Sequence, residues 1–232
     1  MVAVWWAFFS VPLLRNVKEQ DSERENPRFF QALKQSFNEV FQTLYEVRKY
    51  KNVAIFLLAY WFYMDGIDTI VRMATAYGTD IGLEASSMIT ALILTQFVGF
   101  PSTLIFGYFA DRLGFKTILT IGILIYILIS IFASRITTAA EFYAMAIVVG
   151  LVMGGVQAVS RAYFSSIIPK DKEAQFFGFY NLVGKSAVVA GPALLAWISM
   201  IFNTPRAGIL GLLVLFIPGL ILLWIIPKET NS

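Results

Sequence analysis

Three ionisable side chains lie inside an apolar stretch that is long enough to cross a membrane. The stretch runs from Asn52 to Tyr77 and contains Asp65, Asp68 and Arg72, and a transmembrane helix needs about 20 residues. A charge that faces lipid costs at least about 2.5 kcal/mol, so an ionisable group in this position usually marks a substrate, ion or proton site. These three residues are therefore the first candidates for a binding site.

The spacing of these residues places them on one helical face. At 100° per residue, Trp61 and Thr75 fall on the same face. Such a face must contact protein or a water-filled cavity. Two interpretations remain open and do not exclude each other. The face lines a cavity that binds a solute, an ion or a proton, or Asp68 and Arg72, one helical turn apart, form a structural ion pair.

A second group of polar side chains lies in the apolar stretch at residues 141–167. Gln157 and Arg161 are one helical turn apart, and Ser160 lies between them. We predict that these residues line a cavity, with Arg161 as an anion site or part of a gate. The alternative is that Arg161, about six residues from the end of the stretch, extends its side chain to the membrane surface.

The apolar stretch at residues 176–202 contains Asn181 and Lys185. Lys185 is about nine residues from its start, or roughly 13 Å along a helix, which is close to the reach of a lysine side chain. Lys185 therefore needs a partner or water, and Asp65 and Asp68 are the candidate partners. A structural salt bridge and a site that anchors a substrate carboxylate are both open.

The composition predicts an all-α polytopic transmembrane bundle. Of 232 residues, 58% are hydrophobic and 14% are charged, whereas soluble domains average about 25% charged residues. Cysteine and histidine are absent, so disulfides and cysteine metal sites are excluded and proton coupling would use carboxylates. No nucleophile–base pair, metal cluster or phosphate-binding loop stands out. The sequence thus predicts a non-enzyme with no cofactor, no metal and no nucleic-acid partner.

Hydropathy and turn residues predict six membrane spans within a bundle at residues 52–232. The spans are expected at about 52–77, 86–109, 116–134, 141–167, 176–202 and 206–226. Short loops join them, so spans adjacent in sequence are expected to be neighbours in space. In the fourth span, Gly150 and Gly154 have the small-xxx-small spacing that favours close helix packing.

Two segments precede the bundle. Residues 1–14 are apolar but short for a span, and we expect them to be the second part of a transmembrane helix whose beginning is missing; a short N-terminal anchor is the alternative. Residues 15–51 form a polar linker. After Pro27, apolar residues recur at helical spacing as far as Val47, which predicts an amphipathic helix at the membrane interface.

Lysine and arginine are distributed unevenly between the two sides of the predicted spans. Most of the 18 lie in the linker, in loops 110–116 and 168–175 and in the C-terminal tail, whereas the alternate loops contain only Arg135 and Arg206. Cytoplasmic loops are rich in these residues. We therefore predict that the linker and the C-terminus are cytoplasmic.

The loop between the second and third spans carries a spaced motif formed by Gly107, Asp111, Arg112, Gly114 and Lys116. The motif resembles the cytoplasmic signature of the major facilitator superfamily (MFS), G-x-x-x-D-[RK]-x-G-x-[RK], and we assign its residues to a cytoplasmic gate. We expect Gly107 to allow close helix approach and Gly114 to form a tight turn. Asp111 is expected to cap a neighbouring helix or to pair with an arginine across the bundle.

The resemblance to the MFS covers the whole chain, but only as the C-terminal half of a transporter. In that superfamily, twelve helices form two six-helix halves joined by a long cytoplasmic linker. The resemblance implies that residues 1–14 match the end of helix six, residues 15–51 the central linker, and residues 52–232 helices seven to twelve.

A narrower resemblance is to the branch that contains the vacuolar amino-acid effluxers of fungi and their uncharacterised bacterial relatives. It rests on the segment VWWAFFSVPLLRNVKE near the N-terminus and on a group of positions in the fourth and fifth spans. These positions are Gln157, Ser160, Arg161, Pro169, Phe176, Phe177, Gly178, Tyr180, Gly184, Lys185, Gly191 and Pro192. The resemblance implies export of amino acids or similar small solutes in the fungal members, without identifying the substrate of this chain.

Together these features predict the C-terminal half of a secondary active transporter. The candidate substrate and ion site comprises Asp65, Asp68, Arg72, Gln157, Arg161, Asn181 and Lys185. The expected partners are the lipid bilayer, a small solute, a coupling proton, and a separate N-terminal half or a second copy. The expected location is the inner membrane of a bacterium, or a vacuolar or other organelle membrane of a eukaryote. The alternatives are a non-transporting receptor or scaffold relative and an inactive fragment of a split gene.

Overall fold

The computed structural model describes residues 43–227, which are almost entirely helical. Residues 43–49 form a helix, and a short 3-10 helix occupies Lys170–Lys172. The longer helices are α1 (Lys51–Asp80), α2 (Ala85–Leu113), α3 (Phe115–Ala133), α4 (Ala139–Ile167), α5 (Glu173–Ser186), α6 (Ala190–Phe202), α7 (Pro205–Gly211) and α8 (Leu213–Ile225). The predicted segment 1–14 and most of the predicted amphipathic helix lie outside the described residues.

Six segments within residues 43–227 are long and apolar enough to cross a membrane, which confirms the six predicted spans. The first four are the single helices α1 to α4. The fifth, Lys170–Phe202, and the sixth, Pro205–Ile225, each contain two consecutive helices. The sequence analysis did not predict these interruptions.

The interruption of the fifth span lies at residues 187–189, between α5 and α6. Pro192 has no backbone N–H, and its ring would clash with the carbonyl group of Val188 if one helix continued through this region. In the first turn of a helix neither property is costly, because the N–H groups there have no partner within the helix. A new helix therefore begins at Ala190.

Helix α1 is the centre of the bundle. Its longest interface is with α8, and it also contacts α2, α4, α5, α6 and α7. In its most apolar stretch 67% of the residues are buried, against 17% in α2. The side chains of Phe56, Tyr63 and Ile67 are completely buried. This central position brings the acidic residues of α1 into the interior.

Helix α2 packs mainly against α4, at the two glycines that the sequence singled out. A Cβ at Gly150 would lie 2.6 Å from the carbonyl oxygen of Thr95, and one at Gly154 would lie 2.2 Å from a threonine hydroxyl of α2. The hydroxyls of Thr95 and Ser102 donate to the carbonyl oxygens of Ala146 at 3.1 Å and Gly150 at 3.2 Å. The predicted close packing at Gly150 and Gly154 is confirmed.

The end of α3 is tied to two other helices. The Tyr77 hydroxyl of α1 donates to the carbonyl oxygen of Ala133, and Arg206 Nη2, at the start of α7, donates to the carbonyl oxygen of Ile136 at 3.2 Å. These two side chains therefore join α1 to the last residue of α3, and α7 to the loop that follows α3.

The end of the linker packs against the start of the fifth span. Lys172 Nζ donates to Glu46 Oε1 in an ion pair of 2.8 Å, and Gln175 Nε2 donates to Thr43 Oγ1 at 2.9 Å. The hydrogen bond from Lys172 holds the pKa of Glu46 below its ordinary value. Val47 is 3% exposed. The last part of the predicted amphipathic helix is thus helical, with Val47 on its buried face.

Candidate functional site

The predicted polar face of α1 changes from buried to exposed along the helix. Asp65 is 0% exposed, Asp68 is partly buried and Arg72 is exposed. Trp61 is partly buried and Thr75 is exposed. The equal helical spacing of these residues therefore does not give them equal surroundings, because neighbouring helices cover only part of the face.

Asp68 and Arg72 interact electrostatically without forming a close ion pair. Within residues 43–227, Lys172 and Glu46 form a close ion pair, at 2.8 Å, whereas Asp68 and Arg72 do not. Asp68 also lies close enough to Tyr126 for their charges to interact. The Tyr126 hydroxyl is buried and makes no hydrogen bond to a described residue. Asp68 and Arg72 thus form no close ion pair with each other or with another described residue.

Asp65 is enclosed between α1 and the first turn of α6. A Cβ at Gly191 would lie 2.8 Å from Asp65 Oδ1 and 2.0 Å from Thr69 Oγ1. The Gly191 N–H lies near the carboxyl group, but neither carboxyl oxygen completes a regular hydrogen bond with a described residue. The Thr69 hydroxyl donates to the backbone carbonyl of Asp65 at 2.6 Å instead. A buried carboxyl group without a fixed partner is suited to exchanging a proton or a cation.

Lys185 lies next to the interruption of the fifth span, and its side chain is exposed. Among the described residues it forms no ion pair, with Asp65, Asp68 or any other acid. Of the two interpretations left open for Lys185, the structural salt bridge to these carboxylates is therefore not formed among the described residues. The reason is that α5 turns Tyr180 towards α1, where the Tyr60 and Tyr180 rings stack at 4.3 Å.

Asn181 and Lys185 are one helical turn apart and share an exposed face of α5. The Asn181 side chain makes no hydrogen bond with the part of the chain that the structure describes. The two polar side chains thus occupy the surface of a membrane span, where lipid cannot satisfy them. A water-filled cavity or another protein segment must face this surface.

The polar residues of α4 divide between two faces. Ser160 is buried, with its hydroxyl oxygen 2.7 Å from that of Tyr63, and it donates to a backbone carbonyl at 2.6 Å. Gln157 and Arg161 are exposed. The predicted single polar face of three residues is therefore wrong, because Ser160 is turned about 100° away from Arg161 and forms its hydrogen bonds inside the bundle.

Arg161 belongs to an aromatic cluster that joins α1, α4 and α5. Its guanidinium lies over the Phe177 ring, 5.3 Å from the ring centre, and it interacts electrostatically with Tyr60 and Tyr180. Tyr180 also stacks on Phe164 at 4.8 Å. The sequence analysis did not group these aromatic residues with Arg161 as a cluster. Their helical spacing on α1 and α5 was the signal that could have identified the cluster.

The MFS-like motif forms a tight turn, as predicted. Gly114 has a φ of 87° and separates α2 from α3, and side chains other than glycine are strained in this region. Asp111 is exposed and forms no ion pair or hydrogen bond with a residue from 43–227. Arg112 lies over the Tyr108 ring at 4.4 Å. The predicted capping or pairing of Asp111 is therefore not made within this bundle.

The two outer residues of the motif have surroundings that the sequence did not predict. Lys116 Nζ donates to the carbonyl oxygens of Trp224 at 3.0 Å and of Ile226, so it caps the C-terminal end of α8. Apart from its chain neighbours and the backbone of its own helix, no heavy atom of the described residues lies within 4 Å of the position that a Cβ would take at Gly107. The close approach expected at Gly107 therefore does not occur within the described bundle.

An apolar groove lies between α1, α2 and α4, apart from the charged candidates. Ile70, Ala74, Met88, Ala91 and Met145 are among the residues that line it. None of the seven candidate site residues lines this groove. Two of the candidates instead lie beside the interruption of the fifth span, Lys185 just before it and Asp65 through its contact with Gly191 just after it.

Comparisons with known proteins agree on one family. The family profile described as "Vacuole effluxer Atg22 like" matches residues 1–231. An "Uncharacterized MFS-type transporter YxiO" from Bacillus subtilis is 36% identical over all of this chain and 54% of the relative. "Autophagy-related protein 22" from Kluyveromyces lactis is 25% identical over 85% of this chain and 44% of the relative. "Autophagy-related protein 22-1" from Aspergillus niger is 23% identical over 100% of this chain and 41% of the relative. The chain thus spans about half the length of the curated relatives it matches.

Proposed function

Because the chain belongs to the family of Atg22-like vacuole effluxers, we propose that it is the C-terminal half of a multi-pass membrane transporter that moves a small solute by alternating access. In this mechanism two six-helix bundles rock around a site near the middle of the membrane. The observation that carries the proposal is Lys185, which lies beside the interruption of the fifth span and forms no ion pair with a described residue. Amino acids and similar small zwitterions are the proposed solutes.

Lys185 supports this proposal most directly. It lies about 18 Å along the helix from Glu173, its side chain is exposed, and it makes no ion pair with a described residue. A lysine deep in a membrane span must face water, a solute or another protein segment. A cavity between two halves of a transporter would supply that surrounding, with Lys185 and Arg161 holding a solute carboxylate.

The acidic residues supply the complementary charge. Asp65 and Asp68 are proposed to bind a proton or the amine of the solute, and Arg72 is placed one turn from Asp68 to balance the charge when the site is empty. Gln157 and Asn181 would add hydrogen bonds from exposed faces of α4 and α5. These residue types match the two ends of a zwitterion.

The partner in this mechanism is an N-terminal half, in the same polypeptide or as a separate chain, or a second copy. Asp111 and Arg112 are exposed at the end of α2, where a residue of the opposite bundle could pair with them as a cytoplasmic gate. The distribution of lysine and arginine supports a cytoplasmic linker and C-terminus. The membrane would be the inner membrane of a bacterium, or a vacuolar or other organelle membrane of a eukaryote.

The first test is the size of the native protein in its source membranes, measured with an antibody to the C-terminal tail. A band of about twice 26.0 kDa would mean that both halves are in one polypeptide. A band near 26.0 kDa would require a search for a separate N-terminal half by co-purification.

The second test is solute counterflow in vesicles that contain the complete protein. We expect Asp65→Asn and Lys185→Gln to abolish counterflow of amino acids, while Arg135→Gln, which changes an exposed loop residue, leaves it unchanged. Counterflow at the wild-type rate in both site variants would contradict the proposed site. No counterflow of any solute by the folded complete protein would favour a non-transporting relative.

A further inference from the structure

The contact between Asp65 and the first turn of α6 has features that a purely structural contact does not need. Asp65 is 0% exposed, and neither of its carboxyl oxygens has a regular hydrogen-bond partner in residues 43–227. The first turn of α6 reaches it only because Gly191 has no side chain. Small residues permit close helix packing in membranes, but packing alone would be served better by an apolar residue than by an unpartnered acid.

No basic side chain of the described helices neutralises Asp65. Helices α6 and α8, which pack against α1, contain no ionisable residue. Asp68, on the same helix as Asp65, is the ionisable group that interacts with Asp65 electrostatically, and it is an acid as well.

The basic residues of the other helices around α1 have different surroundings. Lys185 of α5 forms no ion pair with Asp65, Arg161 of α4 lies over Phe177, and Arg206 of α7 donates to the carbonyl oxygen of Ile136. The motif residues at the end of α2 are exposed. An ionised Asp65 would therefore be an uncompensated charge inside the bundle, which is among the most unfavourable arrangements in a protein interior.

We propose that Asp65 is a proton-binding site and that its proton controls whether α6 stays packed against α1. The protonated carboxyl group fits the dry contact with Gly191. Loss of the proton to a water molecule leaves a carboxylate that the Gly191 N–H alone cannot stabilise, so water must enter between the helices. This inference rests on the proposed function, and it assigns the coupling ion and the moving element of that mechanism.

The structure offers a hinge for this movement. Residues 187–189 interrupt the fifth span directly before α6, so α6 can shift without carrying α5 with it. Hinges of this kind are usually a few residues at the ends of helices. The shift would separate the helices where Thr69 and Gly191 now touch, and it would open a path from Asp65 to the interruption.

This chain contains no cysteine, so one introduced thiol makes the movement measurable once any cysteine of the N-terminal half has been replaced by serine. Val188→Cys places a smaller side chain at a partly buried position in the interruption. The rate of labelling by a water-soluble maleimide is measured on the purified complete protein, without solute, from acidic to alkaline pH. The same reporter in an Asp65→Asn background corrects for the ionisation of the thiol itself, because asparagine has the shape of the neutral acid.

We expect the two labelling rates to be equal at acidic pH. At alkaline pH the protein with Asp65 should label about tenfold faster or more, because an unpaired charge in a span is strongly disfavoured in the closed arrangement. Asp68→Asn with the same reporter is the matched control and should keep this difference. Equal rates at every pH, or slower labelling at alkaline pH with Asp65 present, would overturn the proposal.

Gly191→Ala provides a second variant that does not depend on the charge. Its methyl group would lie 2.0 Å from Thr69 Oγ1, 2.8 Å from Asp65 Oδ1 and 3.0 Å from the Asp65 carbonyl oxygen, so we expect the helices to separate and labelling to be fast at acidic pH as well. Adding Thr69→Ala removes the closest of these contacts and should slow the labelling in part. Slow labelling in Gly191→Ala at acidic pH would contradict the proposed contact.

The labelling experiment is independent of transport. A protein that moves no solute but shows labelling controlled by Asp65 would retain this inference and lose the proposed function. A protein that transports solute but labels at the same rate with Asp65 and with Asp65→Asn would retain the proposed function and lose this inference.

Discussion

The first and second spans show opposite relations between polarity and burial. Helix α1 contains Asp65, Asp68 and Arg72, and 67% of its most apolar stretch is buried. Helix α2 has no ionisable residue before Tyr108, and 17% of its corresponding stretch is buried. Of these two spans, the one that carries the charges is the one that the bundle encloses. In a membrane, lipid is as apolar as leucine, so hydrophobicity alone does not decide which of the two is buried.

The two helices also differ in how they contact their neighbours. Helix α1 uses large aromatic rings, such as Phe56, which meets Tyr163 at 5.0 Å edge to face. Helix α2 uses small residues and hydroxyls, with Thr95 and Gly150 almost in backbone contact. Its apolar side chains Phe97 and Phe100 are 78% and 80% exposed. A surface of this kind is available to lipid or to the other half of the proposed transporter.

The comparison is tested most strongly by the same substitution in each helix. Phe56→Ala should lower the stability of the bundle by about 3–5 kcal/mol, because it removes a fully buried ring. Phe100→Ala should change stability by less than about 0.5 kcal/mol, because its ring is exposed. Thermal unfolding in detergent, followed by circular dichroism, measures both. Equal losses would mean that the interior of the bundle is not centred on α1.

The α2–α4 interface can be tested at its glycines. Gly150→Val should destabilise the bundle by about 1–3 kcal/mol or more, because the added Cβ would meet the backbone of Thr95 at 2.6 Å. Gly107→Val is the control, since apart from its chain neighbours and the backbone of its own helix nothing in residues 43–227 lies within 4 Å of its Cβ position. We expect unchanged thermal unfolding for Gly107→Val. A loss of counterflow in this stable variant would assign Gly107 to the opposite half.

The MFS-like motif should separate into a structural and a functional part. Lys116→Met should cost about 1–2 kcal/mol, because it removes hydrogen bonds from a charged donor to the end of α8. Arg112→Met should leave thermal unfolding unchanged, because Arg112 contacts the exposed Tyr108 ring, and it should reduce counterflow. The reverse pattern would mean that Lys116 rather than Arg112 acts in the gate.

The smallest expected effect concerns the linker and the fifth span, which is also 17% buried. Because the pKa of Glu46 is lowered in the folded protein, its pair with Lys172 adds stability above the ordinary range of a glutamate, about pH 4.3. This contribution is lost as the pH falls through the lowered pKa. Thermal unfolding of Glu46→Gln should therefore be slightly easier than that of wild type at neutral pH and equal at acidic pH.

The charge-reversed pair Glu46→Lys with Lys172→Glu controls for other effects of the substitution. It should restore the neutral-pH midpoint, and a double variant as unstable as either single change would argue against the pair.

Much of the membrane architecture was predictable from the sequence. The six spans within residues 43–227 and the glycine turn at Gly114 follow from hydropathy and backbone preference, which act locally. The close packing at Gly150 and Gly154 was also predicted, because only small residues permit it. The interruption at residues 187–189 was missed, although Pro192 was visible, since a proline kinks some membrane helices and ends others.

The candidate site was predictable in composition but not in arrangement. The unusual residues Asp65 and Lys185 stand out in any apolar stretch. The salt bridge that was one of the two interpretations for Lys185 is not formed among the described residues, because α5 turns Tyr180 rather than Lys185 towards α1. Ser160 was grouped with Arg161, but it faces the interior and meets Tyr63. Partners across a bundle depend on helix rotation, which short-range spacing does not specify.

The sequence by itself determined that this protein crosses a membrane, how many spans residues 43–227 contain and which side chains are too polar for lipid. These properties depend on the length and chemistry of single segments. Only the tertiary structure decided that Asp65 is enclosed by Gly191 while Lys185 is left exposed, and that Lys116 caps α8. Those contacts join residues far apart in the chain, and they depend on the rotation and closeness of whole helices, which are set by packing at all of their interfaces together.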